Sequence, residues 1–316
     1  MSVIRNILIC GAGMMGKNIA LVFASNPDFS ITLYRRKAAE VSDSIRENSQ
    51  PLIAKGLMNA DDLEERLKRI SLTTDLENDA IKNADLVIEA VFEDMVLKQE
   101  IFAKLEARCR RDTIFCTNSS VMSPSEISAK LKYRDRFVGT HFWNPGHLIP
   151  LVEVIKSDAS SDETADKVMK VLSAVGKKPV LCKRDVPGFI ANRMQHALWR
   201  EAIYIVEQGI ADAKTVDEAV RYSFGLRLPQ LGPLENADMV GLDLTYNIHE
   251  YILRHLSDQK EPSPLLKKLF NEKKLGFKTG TGFQEWAEEE KAVSSAALNE
   301  YLVNMLSHNF TKASKE

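Results

Sequence analysis

The sequence predicts an α/β fold: a doubly wound, mostly parallel sheet followed by an all-helical C-terminal domain. Three observations carry this. Short apolar runs of buried-strand type alternate with helical patterns through the first half of the chain. A glycine-rich turn joins the first of these runs to the first helix. After Cys182 the strand pattern stops, and helical periodicity continues toward the C-terminus.

The first run is ILIC, residues 7–10. Gly11-Ala12-Gly13-Met14-Met15-Gly16 follows and fits G-x-G-x-x-G, and apolar residues then recur at helical spacing from Met15 to Ala24. Strand before and helix after is the context this motif needs for a dinucleotide, so the sheet reads as Rossmann-type. Gly11 would allow the tight turn, Gly13 the approach of a pyrophosphate, and Gly16 close helix packing. Met14 and Met15 would lie beside the phosphates at the helix N-terminus. The plainer reading is an ordinary glycine turn; the flanking strand and helix favour binding.

Further strands are expected at 31–34, 86–88, 113–116, 137–140, 151–155 and 180–182, with helices such as 95–107 and 162–174 between them. Residues 40–69 are charged and helical, as an inserted helical pair would be. A helix is expected to begin near Pro187, where the first turn tolerates proline, and to end at Gly209. The domain boundary falls near Arg184, giving a dinucleotide-binding domain over 1–184 and a helical domain over 185–316.

Composition narrows the function. A chain of 316 residues has room for two domains, and 44% apolar with 27% charged residues is ordinary for a globular protein. A net charge of −2 gives no global basic field for a nucleic-acid partner. The four cysteines are scattered without C-x-x-C, which argues against disulfides or zinc and suits the cytoplasm. No apolar run reaches membrane-spanning length, so no membrane partner is expected. The N-terminus could pass for a signal peptide, but Lys17 and Asn18 interrupt its apolar stretch.

Two stretches suggest chemistry. In FCTNSSVMSPSEI, residues 115–127, hydroxyls follow a strand end, where ligands of open α/β sheets lie. Helix capping by Ser123 or Ser125 is the alternative. In GTHFWNPGHLIPLVEVI, residues 139–155, His141 closes one strand and Glu153 lies inside the next. A buried carboxylate needs a partner, and a base held by an acid would provide one. The alternative is an edge strand with Glu153 facing solvent. His249 and His255 lack the i, i+4 spacing of a helical zinc pair, so no metal is expected. His147 and His196 are open to either substrate-facing or structural roles. Leu298, Tyr301, Leu302, Met305 and Leu306 form an apolar stripe in the tail, suited to its own domain or a dimer mate.

Taken together, GAGMMG, DLVIEAVFEDMVLKQEIF, TNSS, THFWNP, LVEVI, DVPGFIANR and GFKTGTGF, in this order, resemble the 3-hydroxyacyl-CoA dehydrogenase family, with its carnitine and gulonate dehydrogenase and lambda-crystallin branches. The resemblance implies that His141 is the catalytic base, that Glu153 orients its ring, and that Ser119 and Asn192 bind the substrate oxygen. It places Glu93, Lys98, Asn144 and Lys278 against the cofactor. It implies a homodimer through the helical domain. The segment SQPLIAKGLM, residues 49–58, lies where acyl-CoA members are Lys-rich for the CoA phosphates, and it offers Lys55 alone. Trp143 stands where those members have Phe, and GHLIPLVEV is closer to the carnitine and gulonate branch. Family frequency and GPLENADMVGLD, residues 232–243, favour a 3-hydroxyacyl-CoA of fatty acid metabolism. The alternatives are a free 3-hydroxy acid and a non-catalytic, crystallin-like binding protein.

The stretch ITLYRRK, residues 31–37, sets the cofactor expectation. The family's usual residue after TLY is an Asp that would accept from the adenosine ribose; here Arg35 and Arg36 stand instead. A guanidinium can bind a 2′-phosphate bidentately, so NADP is expected, with NAD as the alternative.

Overall fold

A computed structural model describes residues 4–36 and 41–313, the side chains of 307–313 excepted. Lys37, which closes the cationic run, and Glu40, which opens the expected helical pair, lie outside the described residues. Eight strands form one sheet: β1 (Asn6–Cys10), β2 (Ser30–Tyr34), β3 (Ile70–Thr73), β4 (Leu86–Glu89), β5 (Ile114–Thr117), β6 (Phe137–Phe142), β7 (Leu151–Lys156) and β8 (Lys178–Cys182). Their order is β3-β2-β1-β4-β5-β6-β7-β8. The chain moves outward from β1 to β3 and returns on the other side of β1 at β4. That reversal makes the switch point where open sheets bind ligands, beyond the strand C-termini. The ladders are parallel apart from β6–β7, which is antiparallel.

Leu8, Ile9 and Cys10 in β1 and Val87 in β4 are completely buried, as central strands covered on both faces should be. β3 had no expected counterpart. Its Ser71 and Leu72 are exposed, so this edge strand carries no apolar run to announce it. The helix α1 (Met14–Phe23) follows the glycine turn, and α2 (Ser42–Ala54) and α3 (Ala60–Lys68) form the charged pair.

The chain divides into two compact units. The first runs to Ile190 and includes the chain from Ala297 onward; the second is Ala191–Ala296. This differs from the expected division at 184/185 in two ways. The helix expected near Pro187 starts at Ala191, because Gly188 (φ 76°) and Phe189 (φ 49°) are left-handed. The tail groups with the sheet unit rather than the helical one. Val303 is fully buried in a cluster with Leu21, Ile45, Leu52, Met58, Leu63 and Leu148. Leu302 and Leu306 of the expected stripe pack at its margin, while Leu298 and Tyr301 are half exposed.

Candidate active site

The glycine turn meets the requirements of a dinucleotide cradle. Gly11 has φ 116°, and a Cβ there would lie 2.5 Å from the Ala90 carbonyl oxygen of the neighbouring strand end. A Cβ on Gly16 would lie 1.8 Å from the Gly11 oxygen, so the close approach is to the loop itself. Gly13 has no protein atom within 4 Å of its Cβ direction and is the N-cap of α1 without a side-chain cap. Open space over bare helix N–H groups is what a pyrophosphate requires, and these residues fit one. Met14 is exposed and Met15 partly buried at the same helix end.

Arg35 and Arg36 follow β2 at the same edge. The Gly11 N–H donates to the Tyr34 carbonyl at 2.9 Å, which sets the end of β2 beside the turn. Arg35 is partly buried, and its N–H donates to the Thr73 carbonyl; Arg36 is exposed.

The antiparallel register pairs His141 with Glu153 directly. Their side chains meet, Nδ1 to Oε2, at 2.9 Å, with His141 4% and Glu153 0% exposed. The solvent-facing alternative for Glu153 therefore does not hold. The carboxylate accepts from Nδ1–H, which leaves Nε2 as the unprotonated nitrogen of the neutral ring. Glu153 Oε1 also accepts from the Ile190 N–H at 2.9 Å, and Oε2 from Trp143 Nε1–H at 3.3 Å. Phe189, buried, packs 5.7 Å from the imidazole centroid. The left-handed turn at 188–189 thus delivers both a ring and an N–H to the pair. Sequence reasoning missed these contacts, because they come from a loop read as the start of a helix.

Ser119, Glu93 and Lys98 form a second network. Ser119 Oγ donates to Glu93 Oε1 at 3.0 Å, and the Ser120 N–H to the same oxygen at 2.7 Å. Lys98, expected against the cofactor, is 1% exposed and pairs with Glu89 at 2.7 Å and Glu93 at 3.2 Å. Its ammonium thus joins the buried Glu89 to the partly exposed Glu93, which was expected at the cofactor beside it. Glu89 was not singled out in the sequence. It is completely buried at the end of β4 and also accepts from the Thr117 hydroxyl at 2.7 Å. An acid closing the apolar run LVI was the available signal, the same one that marked Glu153. Ser123 caps the short helix after it, accepting from the Glu126 N–H, so the capping reading holds for that serine; Ser125 instead donates its N–H to Asp185.

Asn144 is exposed in the loop after β6. That loop is clamped from below by buried Lys177, whose ammonium donates to the Gly146 and Ile149 carbonyls at 2.6 and 2.8 Å. Burial pushes the Lys177 amine down to about 8. Burial, aided by Lys177, pushes His147 down to about 4, and its Nδ1 is buried without a hydrogen-bond partner. Asn192 lies in the helix Ala191–Glu207 and Lys278 in an exposed turn, both within the second unit. Lys55, expected at the CoA phosphates, is ion-paired with Glu300 of the tail at 3.0 Å. Among the described residues no three His, Cys, Asp or Glu side chains gather as metal ligands would, and no helix is long and apolar enough to cross a membrane.

The sequence matches the family described as 3-hydroxyacyl-CoA dehydrogenase, NAD binding domain, over residues 6–186, and the corresponding C-terminal domain over residues 188–286. It is 36% identical to a probable 3-hydroxybutyryl-CoA dehydrogenase of Bacillus subtilis, over 90% of this chain and 99% of that one. It is 31% identical to 5-formyl-3-hydroxy-2-methylpyridine 4-carboxylate 5-dehydrogenase of Mesorhizobium japonicum, over 92% and 94%. A crystal structure of an enzyme with that same activity, described as an NAD+-dependent dismutase, superposes with a TM-score of 0.87 at 30% identity, covering 96% of this chain and 97% of the other.

Proposed function

The chain belongs to the 3-hydroxyacyl-CoA dehydrogenase family, and on that premise we propose that it is an NADP(H)-preferring dehydrogenase in which His141 works on the 3-hydroxyl of a small free hydroxy acid. Oxidoreduction of a CH–OH group with a nicotinamide cofactor follows from membership itself. The observation that carries the catalytic reading is the buried His141–Glu153 pair with its free Nε2.

His141 Nε2 takes the hydroxyl proton as C3 gives up hydride, and the resulting imidazolium is held by Glu153. In reverse the imidazolium protonates the forming alkoxide. The bound nicotinamide supplies the hydride acceptor or donor. Ser119 and Asn192 are the donors assigned to the substrate oxygen. For Ser119 this requires its hydroxyl to turn from Glu93 to the ligand. The glycine turn and the α1 N-terminus would hold the pyrophosphate. Glu93, Lys98, Asn144 and Lys278 would meet the rest of the cofactor, and Arg35 with Arg36 the 2′-phosphate.

The free-acid reading is supported by the engagement of Lys55 with Glu300 and by the tail packed on α2 and α3 around Val303. Both turn the expected CoA-binding segment toward the protein's own tail. A second reading, 3-hydroxybutyryl-CoA or a related 3-hydroxyacyl-CoA, is favoured by GPLENADMVGLD and by the Bacillus relative. Initial rates with both cofactors, on CoA esters beside the matching free acids and on carnitine and gulonate, separate the two. A kcat/KM for the CoA ester about a hundredfold above every free acid overturns the free-acid reading. Cofactor binding with no turnover on any substrate supports the crystallin-like alternative.

The same reading includes a homodimer through the helical unit and residence in a reducing compartment such as the cytoplasm. Val216 is the one buried apolar side chain of the helical unit, while Leu234, Met239 and Tyr246 are 80%, 71% and 63% exposed. So much bare apolar surface calls for a partner. Cys10, Cys109, Cys116 and Cys182 are free thiols, as a reducing compartment leaves them. Analytical ultracentrifugation measures the subunit count; a monomer at micromolar concentration rejects the dimer.

A further inference from the structure

We propose that Trp143 is a positioning residue of the catalytic pair, using its indole N–H to share Glu153 Oε2 with His141 and so to set how firmly the imidazolium is held. The inference rests on the reading of His141 as base and assigns a role to the residue that replaces Phe in the acyl-CoA members.

Glu153 is completely buried, so its charge is answered by N–H donors rather than by water. The Ile190 N–H binds Oε1. His141 Nδ1 and Trp143 Nε1 both bind Oε2, at 2.9 and 3.3 Å. The His141 and Trp143 rings are 5.4 Å apart. Two donors on one oxygen divide its lone-pair density and negative potential. Each weakens what the other receives, and the imidazolium loses most because its bond is charge-assisted. Indole therefore loosens the hold of Glu153 on the imidazolium, which favours hydroxyl oxidation toward the acid side. A Phe at this position would take the indole donor off Oε2.

The other titratable groups facing Glu153 do not complicate this. Burial pushes the Cys182 thiol above its ordinary value of 9.0, so it stays neutral through the assay range. Asp185 accepts from the Ser123 hydroxyl and the Ser125 N–H, and not from the pair.

The test is the pH profile of kcat/KM for oxidation in wild type, Trp143→Phe and Trp143→Leu, with His141→Ala alongside. Phe keeps an aromatic ring against the imidazole and lacks the donor; Leu lacks both. The acid limb is expected to move up by about half a pH unit in both variants, with KM for the cofactor unchanged. A structural role would lower turnover at every pH without moving the limb. The inference is overturned if Trp143→Phe keeps the wild-type limb while His141→Ala loses turnover. If His141→Ala stays active, the base reading falls and this inference with it. Should Trp143→Leu fail to fold, the Phe variant decides alone.

Discussion

His141 and Glu153 are register partners across the β6–β7 ladder, with Nδ1 and Oε2 2.9 Å apart in a site that solvent hardly reaches. Directly opposed residues on neighbouring strands place their side chains on the same face. The pair is therefore fixed by sheet register rather than by a mobile loop. A slip of one residue in β7 would turn Glu153 to the other face and leave the histidine without its acceptor.

If this pair is the catalytic base and its orienting acid, His141→Ala should reduce kcat by about 10²–10⁴ while cofactor affinity stays near wild type. Glu153→Gln should also lower kcat, because an amide offers the ring less negative charge. Pre-steady-state hydride transfer checks both. His141→Ala retaining more than about a tenth of wild-type turnover, with chemistry limiting, removes the assignment.

The place of Arg35 beside the glycine turn makes cofactor choice a test of charge. One charge-assisted contact is worth about 1.5–3 kcal/mol, so wild type should prefer NADP over NAD by roughly tenfold to a hundredfold. High salt should weaken that preference. Arg35→Asp should reverse it. The ratio of kcat/KM for the two cofactors is the measurement, and a wild type that prefers NAD rejects the phosphate-binding role.

Lys98 is buried between Glu89 and Glu93. Replacing it with Met leaves a fully buried carboxylate without its cation. Lys98→Met should therefore lose about 3–5 kcal/mol of stability, read as a lowered urea midpoint. A double variant, Lys98→Met with Glu89→Gln, should recover part of that loss. Equal midpoints for wild type and Lys98→Met would show that Lys98 contributes no such tie.

His147 sets a pH dependence of stability. Burial pushes it down from 6.5 to about 4 in the folded chain. Between those values the unfolded chain binds more protons, so stability rises with pH across the window and is lost on acidification from 6.5 toward 4. His147→Gln should remove on the order of 1 kcal/mol of the loss between pH 7 and pH 5. Denaturant midpoints at the two pH values check this. Identical pH dependence in the variant would mean that His147 protonates as freely folded as unfolded.

By itself the sequence determined the parts that local chemistry writes. Alternating apolar runs and helical periods reveal a doubly wound sheet because burial on both faces demands continuous apolar strands. The glycines at 11 and 16 are legible because no larger residue suits a turn that must press on Ala90 and on its own loop, and Gly13 because a phosphate needs the space it leaves open. A carboxylate at 153 among apolar neighbours announces a partner. Tertiary structure alone decided the rest. It chose which nitrogen of His141 faces Glu153, and it brought Trp143, Phe189 and the Ile190 N–H to the same pair. It paired Lys98 with Glu89 and Glu93, and Lys55 with Glu300. It laid the tail against α2 and α3 through Val303, a residue outside the apolar stripe. Such pairings join positions far apart in the chain. Their energies depend on distance and desolvation, which a linear pattern of residue types does not contain.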